Sequence, residues 1–211
     1  MSGTLLQRQS ATEEGQAHFF VDKKSGQRIA KVLPGDFYVT TEDTAIATVL
    51  GSCISACMRD PDAGVGGINH FMLPSGTEAR AENWGSGSSA MNRFGNFAME
   101  ALVNSIIKLG GRKHCLEVKL FGGGRVLDIA SDVGKTNIAF VEDYVTAEGL
   151  RVVSKDVGAD YARKILYDPL TGRVRLRRLR DSYVEFVASK ERELLQKKQE
   201  TPPQSGELEL F

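Results

Sequence analysis

Short apolar runs separated by turn-forming clusters dominate the chain, and within residues 29–181 only two stretches change to helical spacing. Residues 44–50 carry Ile46, Thr48, Val49 and Leu50, a β-favouring set that predicts a buried strand running into a Gly51-Ser52 turn. Residues 54–58 form a second short apolar run. Asp60-Pro61-Asp62-Ala63-Gly64 then predicts a tight turn, and residues 65–73 the return strand of a hairpin. Further on, Met91, Phe94, Ala98, Ala101, Leu102 and Ile106 recur at intervals of three and four. They predict a helix capped by Ser88 or Ser89 and stopped by Gly110-Gly111. Residues 116–121 read as a strand followed by Gly122-Gly123-Gly124, and residues 137–147 as a second helix after a loop around Gly134. Residues 151–154, 164–167 and 174–179 predict three more strands, the last two joined by a turn at Asp168-Pro169-Leu170-Thr171-Gly172.

No strand-helix-strand repeat dominates, while hairpin signals are frequent, so the expected fold class is α+β with largely antiparallel or mixed sheets and flanking helices. Three segments are expected. Residues 1–28 are polar apart from His18-Phe19-Phe20-Val21 and read as a flexible lead-in; residues 29–181 form one domain. Residues 182–211 read as a charged helical extension with Val184, Val187, Leu194 and Leu195, then a disordered tail around Thr201-Pro202-Pro203. The loop at 77–89 holds Trp84, which is expected to anchor its own loop.

Composition narrows the function classes. At 211 residues and 41% hydrophobic, the chain can bury one sizeable core. Its 27 basic and 27 acidic residues cancel, which gives no support to a general nucleic-acid binder. The first residues lack a basic region followed by an apolar core, and no long uncharged apolar run occurs. A cytoplasmic location without membrane insertion is therefore expected. Three cysteines, Cys53, Cys57 and Cys115, suggest no disulfide framework, and without a paired Cys-x-x-Cys no metal site is expected among them and His70. Gly122-Gly123-Gly124 lacks the Lys-Ser/Thr that a phosphate-binding loop requires, so no cofactor is expected either. The arginines at 173, 175, 177, 178 and 180 read as a solvated strand face.

Candidate chemistry concentrates at the first hairpin. A thiol at a Gly-Ser turn, Cys53, faces an imidazole, His70, brought by the return strand. Such a pair suits nucleophilic acyl chemistry, because the thiolate attacks and the imidazole carries protons. Gly51 and Ser52 would leave backbone N–H groups open to a developing oxyanion. Each residue also has a plain structural reading, Cys53 as a small hydrophobe and His70 as a hydrogen-bonded core residue.

The stretch Leu50-Gly51-Ser52-Cys53-Ile54-Ser55-Ala56-Cys57-Met58-Arg59-Asp60-Pro61, continued by Gly64-Val65-Gly66-Gly67-Ile68-Asn69-His70-Phe71-Met72-Leu73-Pro74, closely resembles the CheD family of chemoreceptor glutamine deamidases. Arg93-Phe94-Gly95-Asn96-Phe97-Ala98-Met99-Glu100-Ala101-Leu102, Lys119-Leu120-Phe121-Gly122-Gly123-Gly124 and residues 168–179 extend the resemblance to about residues 35–179. It implies conversion of glutamines of methyl-accepting chemotaxis receptors to glutamates, with ammonia released through a thioester on Cys53. It further implies His70 as general base and Thr48, the hydroxyl just upstream of the turn, as the third catalytic residue. The implied fold is an α/β sandwich similar to the deamidase domains of cytotoxic necrotising toxins. Gly158-Ala159-Asp160-Tyr161-Ala162-Arg163-Lys164 departs from a family segment that usually carries more glycines. Two other readings stand beside this one: a regulatory partner of the CheC phosphatase, and another cysteine acyl hydrolase, such as a peptidase, a transglutaminase-like enzyme or a receptor methyl esterase.

Overall fold

A computed structural model describes residues 13–14, 17–73, 90–126, 133–179, 189 and 191–193. The strands are β1 (Glu13–Glu14), β2 (His18–Val21), β3 (Arg28–Lys31), β4 (Phe37–Thr40), β5 (Thr44–Leu50), β6 (Ile54–Asp60), β7 (Val65–Asn69), β8 (Glu117–Gly122), β9 (Arg151–Val157), β10 (Arg163–Tyr167) and β11 (Val174–Arg178). The helices are α1 (Ala90–Lys108) and α2 (Val133–Ala147), with a short 3-10 turn at Lys113–Cys115.

The strands make two sheets. Six run in the order β1-β4-β7-β6-β8-β9 and five in the order β11-β10-β5-β3-β2. Pairing is antiparallel except for β3 with β5 and β8 with β9. The expected α+β sandwich is what the chain adopts, with the six-stranded sheet in the middle.

Strand β6 shows why that sheet is central. Its even positions Ile54, Ala56 and Met58 enter a core with Met99, Leu102 and Ile106 of α1 and Val141 of α2. Cys57, on the opposite face, packs with Ile46, Leu50, Ile165 and Tyr167 of the second sheet. A strand covered on both faces needs an almost continuous apolar run rather than alternation, and residues 54–58 supply it.

Several boundaries differ from the sequence expectation for identifiable reasons. Helix α2 starts four residues before Asn137, because Gly134 lies inside its first turn, tight against the carbonyls of Gly123 and Gly124. The return strand stops at Asn69, and His70 turns its N–H to Asp36 O at 2.9 Å. Within residues 1–28, His18–Val21 pairs with β3 as an edge strand, Phe19 standing edge-on to Tyr38 at 5.4 Å with the Arg28 guanidinium 4.4 Å over its ring. Ala159, within the segment expected to depart from the family pattern, adopts φ +65°. A side chain in that left-handed region costs about 1 kcal/mol. On β11, Arg175, Arg177 and Arg178 are exposed, as a solvated face requires. Trp84 with its loop and the tail around Pro202 lie outside the described residues. Among the described residues no helix is long and apolar enough to cross a membrane.

Candidate active site

The turn Gly51-Ser52-Cys53 is where the chain leaves one sheet for the other: β5 ends in the five-stranded sheet and β6 begins in the six-stranded one. Two neighbours hold it by its backbone. Gly123 N donates to Cys53 O at 2.8 Å and Gly124 N to Gly51 O at 2.7 Å. From α2, Asn137 Nδ2 donates to Ser52 O at 2.8 Å while its Oδ1 accepts from Leu73 N at 2.9 Å. Gly122 has φ +115°, and a Cβ there would stand 2.0 Å from Cys53 O, so the strand end can approach the turn only as glycine. Behind it, the buried Arg163 donates to Gly122 O and Gly158 O at 2.6 Å each and to Asp156 O at 2.8 Å. Burial draws the Arg163 pKa downward and Asp156 opposes that shift.

His70 is fixed by the other arm of the hairpin. Ile54 and Phe71 exchange two backbone hydrogen bonds of 2.9 Å, and Asn69 ties Ala56 N (2.9 Å) to Ala98 O (3.0 Å). With Ile54 opposite Phe71 and Cys57 opposite Ile68, Cys53 and His70 become diagonal neighbours on one face of the sheet. That face looks onto the second sheet. There Thr48, two positions along β5 from both Ile46 and Leu50 of the inter-sheet core, looks back. Its Oγ1 lies 2.8 Å from His70 Nδ1 and 2.8 Å from Val32 O.

These two contacts determine the tautomer. A carbonyl only accepts, so the single Thr48 hydroxyl proton is directed to Val32 O, and the Thr48 oxygen must accept from Nδ1–H. Nε2 then carries the ring's lone pair and is the nitrogen able to take a proton. Cys53, Thr48 and His70 are all almost fully buried, at 0%, 1% and 2% exposure. The structure thus brings together all five residues expected from the sequence: Cys53, His70, Thr48, Gly51 and Ser52.

Two residues at this place had no signal in the sequence. Asn137 was only a polar position at an expected helix start. Glu191, from the C-terminal extension, is 2% exposed and spreads its carboxylate over the turn. Oε1 accepts from Gly51 N and Cys53 N at 3.1 Å each, and Oε2 from Ser52 N at 3.0 Å and Ser52 Oγ at 2.6 Å. The amides expected to receive an oxyanion therefore bind an anionic group of the same chain.

Cys57 shares the inter-sheet face, but burial pushes its thiol far above the usual range, which keeps it protonated. Asp60, Asp62 and Cys115 bring potential ligand atoms within 4.8 Å of one another. Arg112 already binds there, donating through its backbone N and Nε to Asp60 and through its terminal nitrogen to Asp62. A guanidinium in that position supplies the positive charge that the carboxylates require.

Comparison with known proteins identifies the family. Residues 72–178 match the family model described as CheD chemotactic sensory transduction. A protein of Hydrogenovibrio crunogenus is 48% identical over 90% of this chain and 98% of its own length. One of Halorhodospira halophila is 49% identical over 86% of the chain and 84% of its own length, and one of Hahella chejuensis is 45% identical over 90% and 88%. Each is named "probable chemoreceptor glutamine deamidase CheD". With half of the chain matched by the family model and near-complete coverage by such relatives, the chain belongs to the CheD family.

Proposed function

We propose that this protein deamidates glutamine side chains of methyl-accepting chemotaxis receptors, with Cys53 as nucleophile, His70 as proton carrier and Thr48 as the group that holds the ring. The observation that carries the reading is the 2.8 Å Thr48–His70 contact, which leaves Nε2 as the basic nitrogen on the face shared with Cys53.

The reaction balances with these groups alone. His70 takes the Cys53 proton, and the thiolate attacks the carboxamide carbon. The oxygen becomes an anion facing the amides of the Gly51-Ser52-Cys53 turn once the Glu191 carboxylate has left them, each such donor being worth about 3 kcal/mol. His70 returns the proton to the departing nitrogen, and the C–N bond breaks to release ammonia and leave a thioester. Water, deprotonated by His70, then cleaves the C–S bond, giving glutamate and free thiol. Burial also favours this substrate class. The thiol lies below the surface, where a carboxamide on two methylenes reaches it more readily than a main-chain peptide bond does.

The test is ammonia release and product mass from receptor cytoplasmic fragments incubated with wild type, Cys53→Ala and His70→Ala. The expected result is amide-to-acid conversion at discrete glutamines, lost in both variants. Folded wild-type protein that converts none of several receptors would overturn the proposal. A cytoplasmic location belongs to the same reading, since the signalling parts of those receptors lie there. Association with a CheC-type phosphatase, implied by the sequence resemblance, is tested separately by binding of the purified phosphatase.

A further inference from the structure

Glu191 is an unusual occupant for the turn it covers. Its carboxylate is 138 or more residues from its partners in the chain, is almost fully buried, and receives four hydrogen bonds, two on each oxygen. Three of the donors are backbone N–H groups, which cannot reverse their role; the fourth is the Ser52 hydroxyl. A site made of donors selects a ligand made of acceptors. A carboxylate offers only acceptors, whereas a carboxamide in the same pose would set its NH2 against N–H groups. The fit is close as well: a Cβ on Gly51 would come within 2.9 Å of both carboxylate oxygens.

We infer that the Gly51-Ser52-Cys53 cradle is a glutamate side-chain site, and that the C-terminal segment fills it with Glu191 as a built-in product analogue that an incoming side chain must displace. The inference rests on the deamidase reading for its link to turnover, since the acid that reaction forms carries the same side chain as Glu191. The occupancy itself rests on the hydrogen bonds alone. Several consequences follow. The protein in isolation is held back by its own tail, and free acid product competes weakly, because the cradle is already taken by a tethered copy at high effective concentration. A partner that draws the segment carrying Glu191, Arg192 and Glu193 away from the turn would raise the rate without touching a reacting group. Arg192, the next residue, is exposed.

The plain alternative is that Glu191 only pins the C-terminal segment to the domain. Two measurements on the full-length protein separate these readings. The first follows iodoacetamide labelling of Cys53, located by peptide mass, in wild type, Glu191→Ala and Glu191→Gln. If the segment covers the site, both variants label Cys53 about tenfold or more faster, because the accessible state is no longer taxed by the bound one. Glu191→Gln joins Glu191→Ala because its amide places a donor among donors. Equal labelling rates in all three proteins, with melting temperatures lowered in the variants, would overturn the inference and leave Glu191 as a pin.

The second measurement is kcat/KM on receptor fragments, expected to rise by the factor seen in labelling. Labelling that rises while no protein, wild type included, converts any receptor glutamine would refute the deamidase reading and leave the occupancy standing. Receptor conversion at wild-type rate in both variants would refute the built-in analogue and leave the deamidase standing.

Discussion

Replacing Thr48 by Val keeps the shape of the side chain and removes its oxygen, which isolates what the hydroxyl contributes. In the structure that oxygen receives Nδ1–H of His70 and passes its own proton to Val32 O, both over 2.8 Å in a site with 1–2% exposure. Without it, a buried N–H and a buried carbonyl each lose a partner. Leaving one such group unmatched costs about 1–3 kcal/mol. If the loss falls on the transition state, in which the ring becomes a cation, it corresponds to a fall of about 5- to 150-fold in kcat. Because the Thr48 hydroxyl is taken up by the ring and by Val32 O, KM should stay within about twofold. Thr48→Ser keeps the oxygen and should recover most of the rate. The assay is steady-state ammonia release from a receptor fragment, with melting curves to confirm folding. A Thr48→Val enzyme with unchanged kcat, or a Thr48→Ser enzyme as slow as Thr48→Val, would refute the reasoning.

Two further expectations come from other parts of the framework. Asn137→Leu removes the clamp between Ser52 O and Leu73 N, leaves both groups buried without it, and should cost about 2–4 kcal/mol in a urea titration together with most of the activity; wild-type stability in that variant would refute the clamp. For Asp60, burial alone would raise the carboxyl pKa. The Arg112 side chain and the backbone N–H groups of Ala63, Arg112 and Asp62 outweigh it and hold the value below the ordinary 3.8, at about 2. A carboxyl depressed by folding stabilises the native state above its unfolded pKa and ceases to do so as pH falls through the folded one. About 2 kcal/mol should therefore disappear between roughly pH 4 and pH 2. Urea midpoints across that range should fall less steeply in Asp60→Asn, and identical slopes would remove the assignment.

The parts of the site that the sequence discloses are local ones. Thr48, Gly51, Ser52, Cys53 and His70 lie within one strand-turn-hairpin unit, so alternation and turn chemistry suffice to put Cys53 and His70 on one face. Asn137 and Glu191 reach the same turn from 85 and about 140 residues away. Nothing in the composition around either one distinguishes it from an ordinary helical polar residue. His18–Val21 reads in the sequence as an apolar cluster and not as a strand for a related reason: all four of its residues are exposed, and its place depends on pairing with β3 rather than on burial. Hairpin pairings were legible from turn residues, whereas the parallel pairing of β3 with β5 has no turn to announce it.

Thr48 belongs to one sheet, while Cys53 and His70 open from the other, so the contact that orients the imidazole bridges two independently hydrogen-bonded layers. On the proposed mechanism, the rate of the reaction acts as a gauge of how the layers are seated. A shift of even half an ångström between them would stretch that contact while every ladder within each sheet stayed whole. Side chains remote from the thiol that merely space the layers, Ile165 and Tyr167 among them, thereby become trimming screws for catalysis, able to detune the enzyme in a protein that still melts as one unit.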